Sequence, residues 1–201
     1  MRISLFVLFL ATTARAEDSP PFPVNALALP LVSQQTSYSC GAASLLSVLY
    51  YWGAFDGDER DLYSPLHTTH DGTEPEPMAR HARKLGLEAR YAFDASVEDL
   101  TRALAAGETV ILSVQAWSHG KKDLARDWDD GHYIVLIALD AQRAFAMDPS
   151  VRGGYAWLTV DELLTRWHDV ERVHGRDVHR QHMAIFIHGK SPARRPPAHI
   201  E

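Results

Sequence analysis

Residues 34–53 read QQTSYSCGAASLLSVLYYWG and hold the only cysteine of the 201-residue chain. From Cys40 to Trp52 there is no charged residue and no proline, and apolar residues fall on nearly every face of a helix. A helix that is apolar all round is buried in a core. The sequence therefore predicts a buried helix over 40–52, with Ser37 or Ser39 as its N-cap and Gly53 as its C-terminal stop.

Cys40 would lie on the first turn of this helix. Unpaired backbone N–H groups and the helix dipole favour the thiolate at that position, and the thiolate is the nucleophilic form of cysteine. The alternative is a buried cysteine that acts only as a small hydrophobic residue. The rest of the chain must decide between a nucleophile and a packing residue.

Composition restricts the class of protein. Hydrophobic residues make up 46% of the chain, which is enough for a packed core in one domain or in two small lobes around one cleft. The formal net charge is -6, and no basic stripe precedes the last residues. We therefore expect no nucleic-acid partner.

The first sixteen residues have the pattern of a secretory signal peptide. Arg2 supplies the positive start, Ile3–Ala11 is a short apolar run, and Ala14-Arg15-Ala16 places small residues at a cleavage site. The apolar run is too short to span a bilayer as an anchor. We expect an exported protein, periplasmic or secreted, with no stable membrane anchor after signal removal.

Residues 17–30 are predicted as a lead-in segment, 31–188 as the folded domain and 189–201 as a disordered tail. Helices are expected mainly in the first half and adjacent strands in the second, which favours an α+β fold. The pattern predicts further helices at 59–63, 76–85, 97–106 and 160–167, and strands at 26–33, 87–93, 109–115, 131–140, 144–147, 155–158 and 183–188.

A cysteine nucleophile needs a base, usually histidine, and a third group that orients the imidazole. His132 opens the most apolar strand, and Asp148 follows the next strand. A hairpin of these two strands would place both side chains at the same end. Gln34, six residues before Cys40, could donate its side-chain amide to an oxyanion together with the Cys40 N–H, and Gln35 is the competing candidate.

Two histidines in the predicted loop after the first helix are candidate metal ligands. His67 and His70 are three residues apart, but the surrounding Thr-Thr-His-Asp-Gly is typical of a loop, and no third ligand is evident. We therefore expect no metal site and no cofactor.

Three separated motifs resemble one family. Gln34 and Cys40-Gly41-Ala42-Ala43, then Gly131-His132-Tyr133, then Met147-Asp148-Pro149 occur in the order found in the bacteriocin-processing (double-glycine leader) cysteine peptidases of the papain-like superfamily. The resemblance implies a papain-like fold with a helical lobe, whose buried central helix carries the cysteine, and an antiparallel sheet lobe. It also implies Cys40 as nucleophile, His132 as base, Asp148 as orienting residue and Gln34 in the oxyanion hole.

The chain looks like a free-standing exported member of that family, without transporter domains. Exporter-linked members often carry Asp before the cysteine, where this chain has Ser39. The expected function is hydrolysis of peptide bonds in a peptide or protein substrate, and an export system is a candidate partner. Two alternatives stay open: another acyl-transfer enzyme on the same fold, such as a transpeptidase or amidase, and a non-catalytic module that binds peptides.

Overall fold

The computed structural model describes residues 20–117, 123–173 and 175–193. The predicted signal peptide at 1–16 and most of the predicted tail lie outside the described residues. The helices are α1 (Cys40–Trp52), α2 (Glu59–Leu66), α3 (Pro75–Lys84), α4 (Val97–Ala105) and α5 (Val160–Arg166). The strands are β1 (Glu88–Ala92), β2 (Thr109–Gln115), β3 (Gly131–Leu139), β4 (Arg143–Met147), β5 (Tyr155–Thr159), β6 (His168–Val173), β7 (Arg176–Gln181) and β8 (Ala184–His188).

Six strands form one antiparallel sheet in the order β1-β8-β2-β3-β4-β5, and β6 pairs with β7 in a separate two-stranded sheet. The chain thus has the α+β class that the sequence predicts. In the central strands β2 and β3 nearly every residue is buried, because both faces of the sheet are covered. One hydrophobic cluster lies between the sheet and helices α1 to α3, and a second lies on the opposite face under α4 and α5.

Helix α1 is the buried helix predicted for 40–52. Eleven of its thirteen residues are buried, and Leu45, Val48 and Leu49 have no solvent exposure. Gly53 ends the helix in the left-handed conformation, with φ at 63°, where glycine carries no steric penalty. The predicted stop is therefore confirmed, and α1 packs as the core of the helical half of the domain.

Local capping explains the starts of two other helices. Asp58 before α2 and Ser96 before α4 each form a capping box with an aspartate three residues on. The Ser96–Asp99 box was expected from the sequence, with Asp in the place of the usual Glu. These caps satisfy backbone N–H groups that would otherwise lack acceptors at the helix starts.

The structure differs from the predicted secondary structure in two places. Residues 26–33 form no strand; they run as irregular chain along the core, tied to β3 by a hydrogen bond from the Leu27 N–H to the Ile137 carbonyl at 2.9 Å. Proline at position 30 lacks the N–H that a strand needs. The β6–β7 hairpin was not predicted, since charged residues occupy half of its strand positions. No helix among the described residues is long and apolar enough to cross a membrane.

The packing of α1 makes a direct prediction about stability. Leu49→Ala should lower the free energy of unfolding by about 2–5 kcal/mol, because it removes a fully buried side chain and leaves a cavity. Leu31→Ala is the matched control, since Leu31 is 46% exposed, and it should change stability by no more than about 0.5 kcal/mol. Urea unfolding measures both, and equal effects would contradict the predicted burial of α1.

Candidate active site

The buried helix places Cys40 at its first position, at the edge of the central sheet. The Cys40 side chain is 8% exposed and lines a cavity of about 500 Å³. Gly41 lets the start of α1 lie close to Thr73, because a Cβ at position 41 would be 2.9 Å from the Thr73 Cβ. The thiol is thus nearly enclosed by protein on one side and faces an open cleft on the other.

The start of α1 lacks a side-chain cap. Ser39 occupies the predicted N-cap position, but its hydroxyl accepts the Thr36 N–H at 3.0 Å and makes no cap hydrogen bond. The first backbone bond of the helix is from the Ala43 N–H to the Ser39 carbonyl at 3.0 Å. Within the part of the chain that the structure describes, the Cys40 N–H therefore has no hydrogen-bond acceptor.

His132 and Asp148 meet at one end of the β3–β4 hairpin, as the sequence predicts. The antiparallel register pairs Val135 with Met147, so Ile134 lies opposite Asp148, and His132 is its diagonal neighbour on the same face of the hairpin. The His132 Nε2 lies 2.8 Å from the Asp148 Oδ1, and the two residues are 5% and 4% exposed. Nε2 is thus engaged by the carboxylate, and Cys40 lies near enough to the ring to raise the pKa of His132.

Electrostatics in this buried site favour a charged imidazole. Burial alone lowers the pKa of His132, but the hydrogen bonds to Asp148 and Cys40, with the negative charges of both groups, raise it to about 9. Burial raises the pKa of Asp148, and its hydrogen bond with His132 and the imidazolium charge hold it below its usual value. The arrangement therefore favours a protonated imidazole between the Asp148 carboxylate and Cys40.

Asp148 is fixed by two donors besides His132. Its Oδ1 accepts the Ser150 N–H at 2.8 Å, and its Oδ2 accepts the Trp117 indole N–H at 3.0 Å. The Asp148 carboxylate therefore both stabilises the Asp-Pro-Ser turn and contacts the imidazole. These bonds hold the carboxylate in the orientation that fixes the imidazole ring.

Trp117 was missed by the sequence analysis. It follows β2, has φ at 60°, and remains 56% exposed although its indole reaches Asp148. A bulky residue in the left-handed region is an outlier and costs on the order of 1–3 kcal/mol, which surrounding contacts must offset. No local pattern in the sequence signals a contact between residues 31 positions apart, so only the structure could find it.

Gln34 lies beside the loop that carries Asp148, but its amide is turned to local partners. Its N–H donates to the Pro149 carbonyl at 3.0 Å, and its side-chain oxygen accepts the Ser150 hydroxyl at 3.1 Å. Its NH₂ group donates to the Thr36 carbonyl at 2.8 Å. Among the described residues, the second hydrogen of this NH₂ group has no acceptor. The Gln34 side chain therefore keeps one N–H that can donate to an oxyanion.

Gln35, the competing candidate, is directed elsewhere. Its NH₂ group donates to the Asp58 carboxylate at 2.9 Å, at the start of α2. Its backbone N–H contacts both oxygens of Glu59, a carboxylate that is only 1% exposed and also accepts the Tyr63 hydroxyl at 2.7 Å. Glu59, which the sequence analysis did not single out, thus anchors the loop that leads into Cys40.

The cleft beside Cys40 is bounded on its far side by the β6–β7 hairpin and carries mostly acidic groups. Arg180 pairs with Glu171 at 2.7 Å, and Arg172 with Asp177 at 3.4 Å. Burial raises the pKa of Asp169, whose carboxylate lies against Gly131 and accepts the Ser113 hydroxyl. The charged residues that line the cleft are Asp71, Glu74, Asp129, Asp169, Glu171, Arg172, Asp177 and Arg180.

The two histidines considered for metal binding serve other roles. His67 ends α2 in the left-handed conformation, and the His70 ring lies against Tyr38 with 4.5 Å between ring centres. Among the described residues, no cluster of three or more His, Cys, Asp or Glu side chains could hold a metal ion.

A thiol at the start of a buried helix, near an imidazole at the start of an inner strand of an antiparallel sheet, defines the class of papain-like cysteine peptidases. The chain belongs to the Peptidase_C39 like family, whose model matches residues 26–174. By family and fold it is a cysteine peptidase. The fold is the papain-like one that the resemblance implied.

Solved structures with this fold include several peptidase domains. A putative C39-like peptidase from Bacillus anthracis has a TM-score of 0.63 and 18% identity, over 82% of this chain and 96% of that one. The peptidase domain of Streptococcus ComA, described as a bifunctional ABC transporter, gives 0.57 and 22%, over 80% and 98%. A double glycine motif protease from an AMS/PCAT transporter, in complex with the leader peptide, gives 0.56 and 20%, over 82% and 94%. No curated protein matches the chain.

The raised pKa of His132 predicts a titration that nuclear magnetic resonance can follow. The imidazole should lose its proton near pH 9 in the parent protein. It should do so at lower pH in Asp148→Asn, because the amide removes a negative charge that favours the imidazolium. Asp140→Asn, at the exposed opposite end of β3, is the control and should leave the titration unchanged. An unchanged His132 pKa in Asp148→Asn would contradict the electrostatic coupling between the two residues.

Proposed function

We propose that the protein is an exported cysteine peptidase that hydrolyses peptide bonds with Cys40, His132 and Asp148 as its triad. The observation that carries the proposal is the buried 2.8 Å contact between His132 and Asp148, with Cys40 near enough to help raise the pKa of the imidazole. A carboxylate that orients an imidazole beside a thiol is the arrangement that activates a sulfur nucleophile. A packing cysteine would need neither partner.

The reaction follows from these positions. The Cys40 thiolate attacks the carbonyl carbon of a peptide bond, and the carbonyl oxygen becomes an oxyanion. The Cys40 N–H, at the uncapped start of α1, and the second hydrogen of the Gln34 amide are the proposed donors to that oxyanion. His132 gives its proton to the leaving amine, and a water molecule then hydrolyses the thioester with His132 as base.

The substrate is a peptide or protein segment that binds in the cleft between α1 and the β6–β7 hairpin. The cleft of about 500 Å³ has room for a few residues of an extended chain. A fold relative binds a leader peptide, which supports a peptide substrate here as well. Export rests on the signal-peptide pattern of residues 1–16.

The experiment that tests this function is hydrolysis of an internally quenched peptide library, with Cys40→Ala as the inactive control. Loss of Cys40 should remove turnover completely. A parent protein that binds library peptides but cleaves none would favour a binding module over an enzyme.

Gln34 provides a sharper test of the oxyanion site. Gln34→Ala should lower kcat for the cleaved peptides by about 10²–10³-fold, because a donor to the developing charge is lost. Gln35→Ala is the matched control, since that side chain contacts Asp58, and it should change kcat by no more than about twofold. Equal effects of the two substitutions on kcat would remove Gln34 from the proposed role.

A further inference from the structure

A second cavity lies on the opposite side of the catalytic residues from the Cys40 cleft. It has a volume of about 220 Å³ and is lined mainly by apolar side chains, with Asp148 and Arg166 as its charged residues. The cavity exists because Ala146 and Ala156 pair across β4 and β5, and their small side chains leave the sheet surface open. Ile134 from β3 and Trp157 also line it.

Trp117 joins this cavity to the catalytic residues. Its indole donates to Asp148 at 3.0 Å, and the same ring forms part of the cavity wall. More than half of Trp117 is exposed, and its backbone is held in the left-handed region. An exposed tryptophan kept in a costly conformation beside a reactive centre is a frequent sign of a ligand contact.

The proton transfer by His132 determines which half of the substrate lies near this second cavity. His132 lies between Cys40 and Asp148 and must protonate the amine that leaves. The amine half of the peptide therefore departs past His132, toward the Asp148 end of the row. The acyl half stays in the cleft that contains Cys40. An apolar cavity lined by Asp148 and Trp117 is thus placed to receive a side chain from the amine half.

We propose that the Trp117 cavity is a specificity site for the residue on the amine side of the scissile bond, and that it selects an aliphatic or aromatic side chain. The inference rests on the proposed peptidase function. An apolar cavity of about 150 Å³ holds a benzene molecule, so the larger volume here accommodates a leucine or phenylalanine side chain. A polar side chain of similar size would lose its hydration without gaining hydrogen bonds from the apolar walls.

The test uses the second half of the reaction, in which an amine enters the same site. 4-Nitrophenyl acetate acetylates Cys40, and 4-nitrophenolate leaves. An added amine attacks the thioester carbon: the C–N bond forms, the C–S bond breaks, and the amine proton passes through His132 to the sulfur. The entering amines are leucinamide and asparaginamide, whose side chains have similar shape but different polarity. Leucinamide should react at least about tenfold faster.

Substitutions at Ala156 separate the cavity from the catalytic residues. Ala156→Leu fills the cavity and should bring the two amines to within about twofold of each other. Ala156→Ser keeps the volume open and should retain most of the preference. If the acetyl-enzyme forms and the parent shows no preference for leucinamide, the specificity site is wrong while the peptidase function stands.

If no acetyl-enzyme forms, the proposed nucleophile is in question, and binding decides the cavity separately. The Trp117 indole N–H signal, assigned with Trp117→Phe, is then followed in Cys40→Ala by nuclear magnetic resonance. A saturable shift with leucinamide, absent with asparaginamide and absent in Ala156→Leu, supports the site. No shift with leucinamide overturns it.

Discussion

The contact between His132 and Asp148 depends on the register of one hairpin. Strands β3 and β4 pair so that His132, near the start of one strand, is the diagonal neighbour of Asp148, which follows the other. A shift of the register by one position would turn each side chain to the opposite face of the sheet. The buried apolar residues of both strands oppose such a shift, because it would expose core side chains and bury polar ones. Packing on two faces of the sheet thus fixes a distance of 2.8 Å between two catalytic candidates.

Helix α1 provides the other half of the geometry. Its apolar surface has no polar side that could turn toward solvent, so the helix can only lie inside the domain. This burial brings its first residue, Cys40, near His132, the second residue of the inner strand β3. The first turn keeps its N–H groups free of a side-chain cap, because Ser39 bonds back to Thr36. The helix therefore lacks a stabilising cap at the position where the proposed reaction needs the Cys40 N–H as a donor. Proteins often give up some stability in this way at a functional site.

The parts of the structure that the sequence predicted are those set by local pattern. The apolar run of α1, the Gly53 stop and the β3–β4 hairpin all carry their signal within a few neighbouring residues. Trp117, Glu59 and the second wall of the cleft could not be found in this way. Trp117 meets a residue far along the chain, and Glu59 is a buried carboxylate that accepts the backbone N–H of Gln35, 24 residues away. The β6–β7 hairpin has charged residues at half of its strand positions, so it lacks the apolar alternation by which strands are recognised.

The central claim is that His132 activates Cys40, and the alkylation rate of Cys40 tests it most directly. The chain has one cysteine, so iodoacetamide reports on this thiol alone. At about pH 6 an ordinary free thiol is almost fully protonated and reacts slowly. The account predicts that the parent protein is alkylated at this pH at least about tenfold faster than His132→Ala. Equal and slow alkylation of the two proteins would mean that the thiol and the imidazole do not act as a pair, and would contradict the account.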